Sequence, residues 1–178
     1  GTGMKLRDWS LDGRFLSFFT TDRSGGVLYA LPLAGVGERK PIVVFHSESQ
    51  LGGPRFSPDS RFMSYISNQS GKFENYVRPF DPSAGAAATP AAGPWQVGDQ
   101  GTRGGAYWRR DGKELYYVAA DGGQMAVEVS TAPTFKFGKP KLLFRLSEAV
   151  PPNAGGISSD GQRVVIPVPH VPVGVSAR

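Results

Sequence analysis

The chain has 178 residues, 39 % of them hydrophobic and 11 % aromatic, enough for one domain with a buried core. It has no cysteine, which excludes disulfides, thiolate metal sites and a cysteine nucleophile. The net charge of +5 permits an acidic partner without requiring one, and no apolar run approaches the roughly 20 residues that span a bilayer.

The first residues, Gly1-Thr2-Gly3-Met4, lack the charged and apolar regions of a signal peptide, so any export signal would lie outside this chain. Organisation begins at Trp9-Ser10-Leu11-Asp12-Gly13-Arg14, a polar turn entered by a large apolar residue. An alternating strand over 15–19 follows, then a turn at 22–26, a strand over 27–33 and a short apolar strand over 41–45. The same order recurs from Phe56-Ser57-Pro58-Asp59-Ser60-Arg61. Strands are predicted over 62–66, 74–80 and 95–97, with a turn at 68–72. Residues 82–94, rich in Ala, Gly and Pro, read as a flexible surface loop inserted within this unit.

A third copy starts at Trp108-Arg109-Arg110-Asp111-Gly112-Lys113, with strands over 114–118, 125–130 and 141–146 and a turn at 121–124. The fourth starts at Ile157-Ser158-Ser159-Asp160-Gly161-Gln162 and has a strand over 163–167. It then stops early, with 171–175 as one further candidate strand. No segment shows sustained helical periodicity.

The four starts lie 47, 52 and 49 residues apart. Position four after each Asp is Leu16, Met63, Leu115 or Val164; position six is Phe18, Tyr65, Tyr117 or Ile166. Both columns are always apolar while those between them vary, which is the period-two pattern of a strand with one face always buried. A unit of about four short strands cannot bury both of its faces alone, but copies arranged around an axis can. The expectation is therefore an all-β β-propeller of four-stranded antiparallel blades. It is a single domain over 1–178, with about three and a half to four blades near 4–48, 53–98, 104–147 and 154–178.

These motifs resemble the WD40-like, TolB-type (PD40) propeller repeat, whose core reads roughly W-S-P-D-G-basic-x-hydrophobic. The stretch Asn75-Tyr76-Val77-Arg78-Pro79-Phe80, then Trp95-Gln96-Val97, then the third turn, is similar to C-terminal propellers of bacterial multidomain proteins, some of them attached to kinases. That resemblance implies a bacterial protein, with relatives outside the cytoplasm or at the end of signalling proteins. Ser60 stands where the repeat has Gly, a departure the turn tolerates at modest cost. Three and a half units fall short of a closed ring. Three arrangements would supply the rest: a longer chain, a homodimer completing seven or eight blades, or a four-bladed ring closed by Lys5-Leu6-Arg7. Pairing of two copies is the leading expectation.

Little in the sequence points to catalysis. Asp12, Asp59, Asp111 and Asp160 recur once per unit, too far apart to share a metal, and suit turns in which the carboxylate accepts backbone N–H groups two residues on. The two histidines, His46 and His170, have no nucleophile motif beside them and lack close metal-ligand spacing. Gly101-Thr102-Arg103-Gly104-Gly105 has no Lys-Ser/Thr and no following helix, so it reads as a loop between blades rather than a phosphate cradle. No cofactor, metal or catalytic residue is assigned. Arg55, Arg103 and Arg109, with Arg110, flank inner strands and are the candidate partner-binding residues. Tyr107, Trp108, Tyr116 and Tyr117 fall mostly on core positions, which argues against nucleic acid. The expected function is a non-enzymatic binding or scaffold module for a protein or peptide. The alternatives are a small ligand or carbohydrate at the channel, or an accessory propeller of a hydrolase or lyase.

Overall fold

The computed structural model describes residues 3–34, 39–83, 93–145, 156–158 and 163–165. Among them every regular element is a strand. The first sheet contains β1 (Lys5–Trp9), β2 (Phe15–Asp22), β3 (Gly25–Pro32) and β4 (Ile42–Ser47) in that order. The second contains β5 (Leu51–Phe56), β6 (Phe62–Ser67), β7 (Glu74–Pro79) and β8 (Trp95–Gln96), again in chain order. The third runs β9 (Tyr107–Trp108), β10 (Glu114–Val118), β11 (Gly123–Ser130) and β12 (Lys136–Phe137). There β13 (Lys141–Arg145) also pairs with β11, at the end away from β12. A two-stranded pair, β14 (Gly156–Ile157) with β15 (Val164–Val165), follows. All pairings are antiparallel.

The turns explain why each sheet starts as it does. Ser10 Oγ donates to Asp12 Oδ1 at 2.7 Å, and the same oxygen accepts the Arg14 N–H at 3.0 Å. Ser57, Asp59 and Arg61 repeat this at 2.6 and 3.1 Å, and the Lys113 N–H reaches Asp111 at 3.0 Å. The serine hydroxyls also accept the N–H that opens the next strand, from Phe15 and from Phe62, both at 2.9 Å. These three carboxylates close turns, as the repeat predicts. Asp160 lies outside the described residues, although the Arg163 N–H reaches Ser158 Oγ at 2.9 Å in the same way. The residue after the Asp has positive φ in each described turn: Gly13 at 73°, Ser60 at 55° and Gly112 at 72°. Ser60 therefore pays the left-handed cost that glycine avoids.

The second sheet is buried on both faces, and β6 shows how alternation achieves this. Met63 and Tyr65, both 0 % exposed, point toward the first sheet and join Phe15, Leu28 and Ala30 in one cluster. Phe62 points the other way and joins Val77, Leu115, Tyr117, Val127 and Phe135 between the second and third sheets. Phe15 meets Phe80 edge-on at 5.2 Å, and Phe62 meets Phe135 at 5.4 Å, so aromatic pairs stitch both seams. Burial of this kind makes a Met63→Ala change cost about 2–5 kcal/mol.

Small hydroxyl side chains set the close approach of neighbouring sheets. Ser17 Oγ donates to the Pro54 carbonyl at 2.8 Å, and Ser64 Oγ makes the equivalent link to Ala106 at 3.5 Å. Trp108 Nε1 donates to Ser64 Oγ at 3.1 Å. Asn75 completes the second seam: its Oδ1 accepts the Ala106 N–H at 2.8 Å while Nδ2 donates to Thr102 at 3.0 Å.

One expectation needs correction. Lys5, Leu6 and Arg7 belong to β1 and pair within the first sheet, so they are not the closing strand of a last blade. The sequence also gives no sign of β12, a two-residue strand held by Val129 and Ser130. Most of the 82–94 loop, and the 171–175 segment, lie outside the described residues.

Candidate binding site at the inner strands

The inner strand β5 lies against both β1 and β9, the inner strands of the first and third sheets. Each ends in a large apolar residue, Trp9, Phe56 or Trp108, placed opposite Leu16, Met63 or Leu115. The residue just before it is Asp8, Arg55 or Tyr107, three different chemistries at one repeated position. The turn residue two further on from that apolar residue is Leu11, Pro58 or Arg110. All nine line one cavity of about 300 Å³, with Ser158 of the β14–β15 pair as a tenth.

Arg55 is the centre of this site. Its guanidinium carbon lies 3.8 Å from the centre of the Tyr107 ring. Its Nε is buried and has no hydrogen-bond partner among the described residues. Burial pushes the guanidinium below its ordinary pKa, opposed first by Tyr107 and then by the negative charge of Asp8. Asp8 Oδ2 accepts the Phe56 N–H at 2.8 Å. Burial raises the Asp8 carboxyl above its usual range, opposed by that hydrogen bond and by Arg55 and Arg7. The described lining thus holds one carboxylate, Asp8, against two guanidinium groups, Arg55 and Arg110, a net positive balance beside exposed aromatic surface, Trp9 being 62 % exposed.

The other two arginines lie elsewhere. Arg109 donates to Asp111 through Nε and Nη2, both at 2.7 Å, and to Glu114 through Nη1 at 2.5 Å. Tyr116 shares the same Glu114 oxygen at 2.5 Å. The Asp111 side chain pushes Arg109 up, and Arg109 holds Asp111 at about 2. Arg103 donates from Nε to the Ala120 carbonyl at 3.1 Å. Its N–H bonds Val118, whereas that of Arg109 bonds Glu114, so the two lie at opposite ends of β10. Of the three, Arg55 is the one that lines this cavity.

Asp8, Trp9 and Tyr107 complete the site without having been marked by the sequence. The available signal was positional: the column before the large apolar residue changes chemistry in each unit, whereas structural columns stay apolar. His46 is exposed on β4, and His170 lies outside the described residues. Among the described residues no cluster of three or more His, Asp or Glu side chains could hold a metal ion. Among the described residues no helix is long and apolar enough to cross a membrane.

No protein-family model matches the chain, and no curated protein matches it. Solved structures do. TolB from Acinetobacter baumannii is similar over 93 % of this chain and 37 % of its own, with a TM-score of 0.66 and 18 % identity. A putative TolB from Agrobacterium tumefaciens is similar over 81 % of this chain and 50 % of its own, with a TM-score of 0.58 and 18 % identity. The likeness is one of fold, a TolB-like β-propeller, and the chain spans half or less of the length of these structures.

Proposed function

We propose that the chain is a non-enzymatic binding or scaffold module of three and a half to four blades that takes a protein or peptide at the Arg55 cavity. One observation carries the reading. Three inner strands place an acid, a cation and an aromatic ring at the same repeated position, and all three open into one cavity. A half-buried guanidinium stacked on tyrosine and rimmed by exposed tryptophan is the chemistry of a peptide anchor site. Arg103 and Arg109 are peripheral contacts in this reading, since both are already bonded within the third sheet.

Catalysis is disfavoured by the same geometry. Asp8 is committed to the Phe56 N–H, and none of the described residues that line the cavity is a histidine. A second reading, a small ligand or carbohydrate at this mouth, is favoured by Trp9 and Trp108 lining a cavity of about 300 Å³, at the small end of ligand pockets. As an accessory propeller of a hydrolase or lyase, the chain would need catalytic residues from elsewhere. The TolB-like fold favours a site of action outside the cytoplasm, and a second copy is a further partner, completing a ring of seven or eight blades.

The test is selection of displayed peptides against the purified chain, followed by Kd measurements with Arg55→Gln. Acidic peptides with micromolar affinity that weaken at least tenfold in the variant are expected. Selected peptides that bind Arg55→Gln equally well would remove the cavity from the proposal, and hydrolysis by the purified chain alone would remove the non-enzyme reading.

A further inference from the structure

We propose that a second cavity, at the start of β5 rather than its end, binds a small organic carboxylate through Arg7. This goes beyond peptide binding at Arg55 and does not depend on it, because the two cavity linings share no residue. The second cavity measures about 300 Å³ and lies within the array, not on an outer face. Arg7 and Phe19 come from the first sheet, Gly53 and Ile66 from the second, and Gly105 from the loop that enters the third.

The repeat shows how this cavity is built. Counting back two residues from Trp9, Phe56 and Trp108 gives Arg7, Pro54 and Ala106; counting back three gives Leu6, Gly53 and Gly105. Only the first sheet places a charge in the former column, and the other two sheets leave bare backbone in the latter. Arg7 sits where the β1–β2 register shifts, between Leu6 and Asp8, and β5 shifts likewise between Gly52 and Arg55. Such bulges re-aim side chains. Gly53 has φ 60°, and a Cβ on Gly105 would stand 3.0 Å from the Gly53 carbonyl oxygen, so this wall stays free of side chains.

The lining is chemically one-sided. Arg7 Nε is buried and has no hydrogen-bond partner among the described residues, and none of their ion pairs includes Arg7. Asp8, next in sequence, lines the other cavity and accepts the Phe56 N–H there. No described residue of the second lining is an Asp or Glu. Its other polar side chains are engaged. Thr21 Oγ1 donates to the Gly25 carbonyl at 3.2 Å and accepts the Leu51 N–H at 3.3 Å, and Gln50 Nε2 donates to the Asp22 carbonyl at 3.4 Å. Lys5 adds positive charge nearby, its Nζ 5.7 Å from the centre of the Phe19 ring. Opposite these cations stand Leu51, Ile66 and Phe73. A buried donor without an acceptor is costly, and a carboxylate supplies the acceptor with a charge-assisted bond. The apolar wall then calls for an apolar body on the same molecule.

Two-dimensional amide NMR on the full chain tests this, read at Gly52, Gly53 and Gly105. Phenylacetate should shift these amides saturably, with its neutral counterpart 2-phenylethanol at least about tenfold weaker. Acetate, which lacks the apolar body, should also bind more weakly. N-acetylphenylalanine presents the same chemistry as the last residue of a peptide, so the tighter of the two aromatic acids distinguishes a free acid from a chain end. Arg7→Gln should erase the preference for acid over alcohol, and Arg7→Lys should restore part of it. Absence of saturable shifts, an alcohol that binds as well as the acid, or acid binding undiminished in Arg7→Gln would overturn the proposal. The alcohol comparison uses the parent chain, so it decides the matter even where a variant fails to fold. Arg55→Gln should keep the phenylacetate response, so failure here and failure of peptide binding are read separately.

Discussion

Arg55 and Tyr107 join the second sheet to the third at the cavity mouth, cation over ring at 3.8 Å. The contact is electrostatic and dispersive through the ring face, and a side-chain hydrogen bond between the two residues adds to it. Tyr107→Phe keeps the ring face and should cost less than about 1 kcal/mol, while Tyr107→Ala should lower stability by about 1–2 kcal/mol. Urea midpoints of the two variants check this; equal losses would mean the hydroxyl carries the interaction.

Asn75 is 1 % exposed and holds the loop between the second and third sheets through Ala106 and Thr102. Its neighbour Glu74 accepts the Gly101 N–H at 2.7 Å in the same loop. Asn75→Ala leaves the buried Ala106 N–H without an acceptor and should cost about 2–3 kcal/mol. Hydrogen exchange should show the Ala106 amide losing protection before amides of β2 do; uniform loss across the molecule would refute a local clamp.

Asp59 invites a catalytic story when read alone, yet its carboxylate is occupied by Ser57 and the Arg61 N–H. Asp59→Asn keeps an acceptor for that N–H and should be the milder change, with Asp59→Ala costing about 1–2 kcal/mol. Despite burial, these hydrogen bonds hold the Asp59 and Asp12 carboxyls below their ordinary range. A depressed folded pKa contributes stability above the unfolded value, near 4, that is lost as pH falls through the folded one. Urea midpoints should drop below pH 4, and less steeply in Asp59→Asn. An unchanged slope in that variant would remove Asp59 from the acid limb.

Ser60 adopts φ 55° where the equivalent residues are glycines. Ser60→Gly should raise stability by about 0.5–1 kcal/mol, since relief of the left-handed conformation outweighs the added freedom of the unfolded chain. A fall in the urea midpoint would show that the buried serine side chain matters more than the backbone.

Tyr117 titrates on the alkaline side. Burial, then the charges of Glu74 and Asp99, push its phenol up to about 12. A raised folded pKa means the folded state keeps a proton that the unfolded chain releases near pH 10. Stability is therefore full below pH 10 and declines between about 10 and 12, by roughly 2–3 kcal/mol for this residue. Tyr117→Phe should flatten that decline in urea titrations; an identical decline would assign it to other tyrosines.

Much of the fold is legible in the sequence because its signal is periodic. Leu16, Met63 and Leu115 occupy one column, and the structure puts each in a strand next to the innermost one. The strand β12 is not legible, since Lys136 and Phe137 are too few to show alternation and are held by partners far from any repeated turn. The sequence marks Arg55 together with Arg103 and Arg109, but the neighbourhood of Arg55 carries no sign of Tyr107, 52 residues on and stacked against it. Arg103 and Arg109 look equivalent to Arg55 by charge alone; hydrogen bonds to Ala120, Asp111 and Glu114 separate them from it. Periodicity reports which face is buried, whereas a site depends on residues that break the period.

The serine links described above bear on how such an array can grow. Ser17 and Ser64 each offer a short hydroxyl to the backbone of the next sheet, so each sheet sets the spacing of its successor without reference to the whole. The third sheet has Tyr116 at that position, its hydroxyl already given to Glu114. At Tyr116 the third sheet thus offers a bulky ring with a spent donor where the first two sheets offer a small latch, so the short serine link that joins the first sheet to the second and the second to the third is not available from this position.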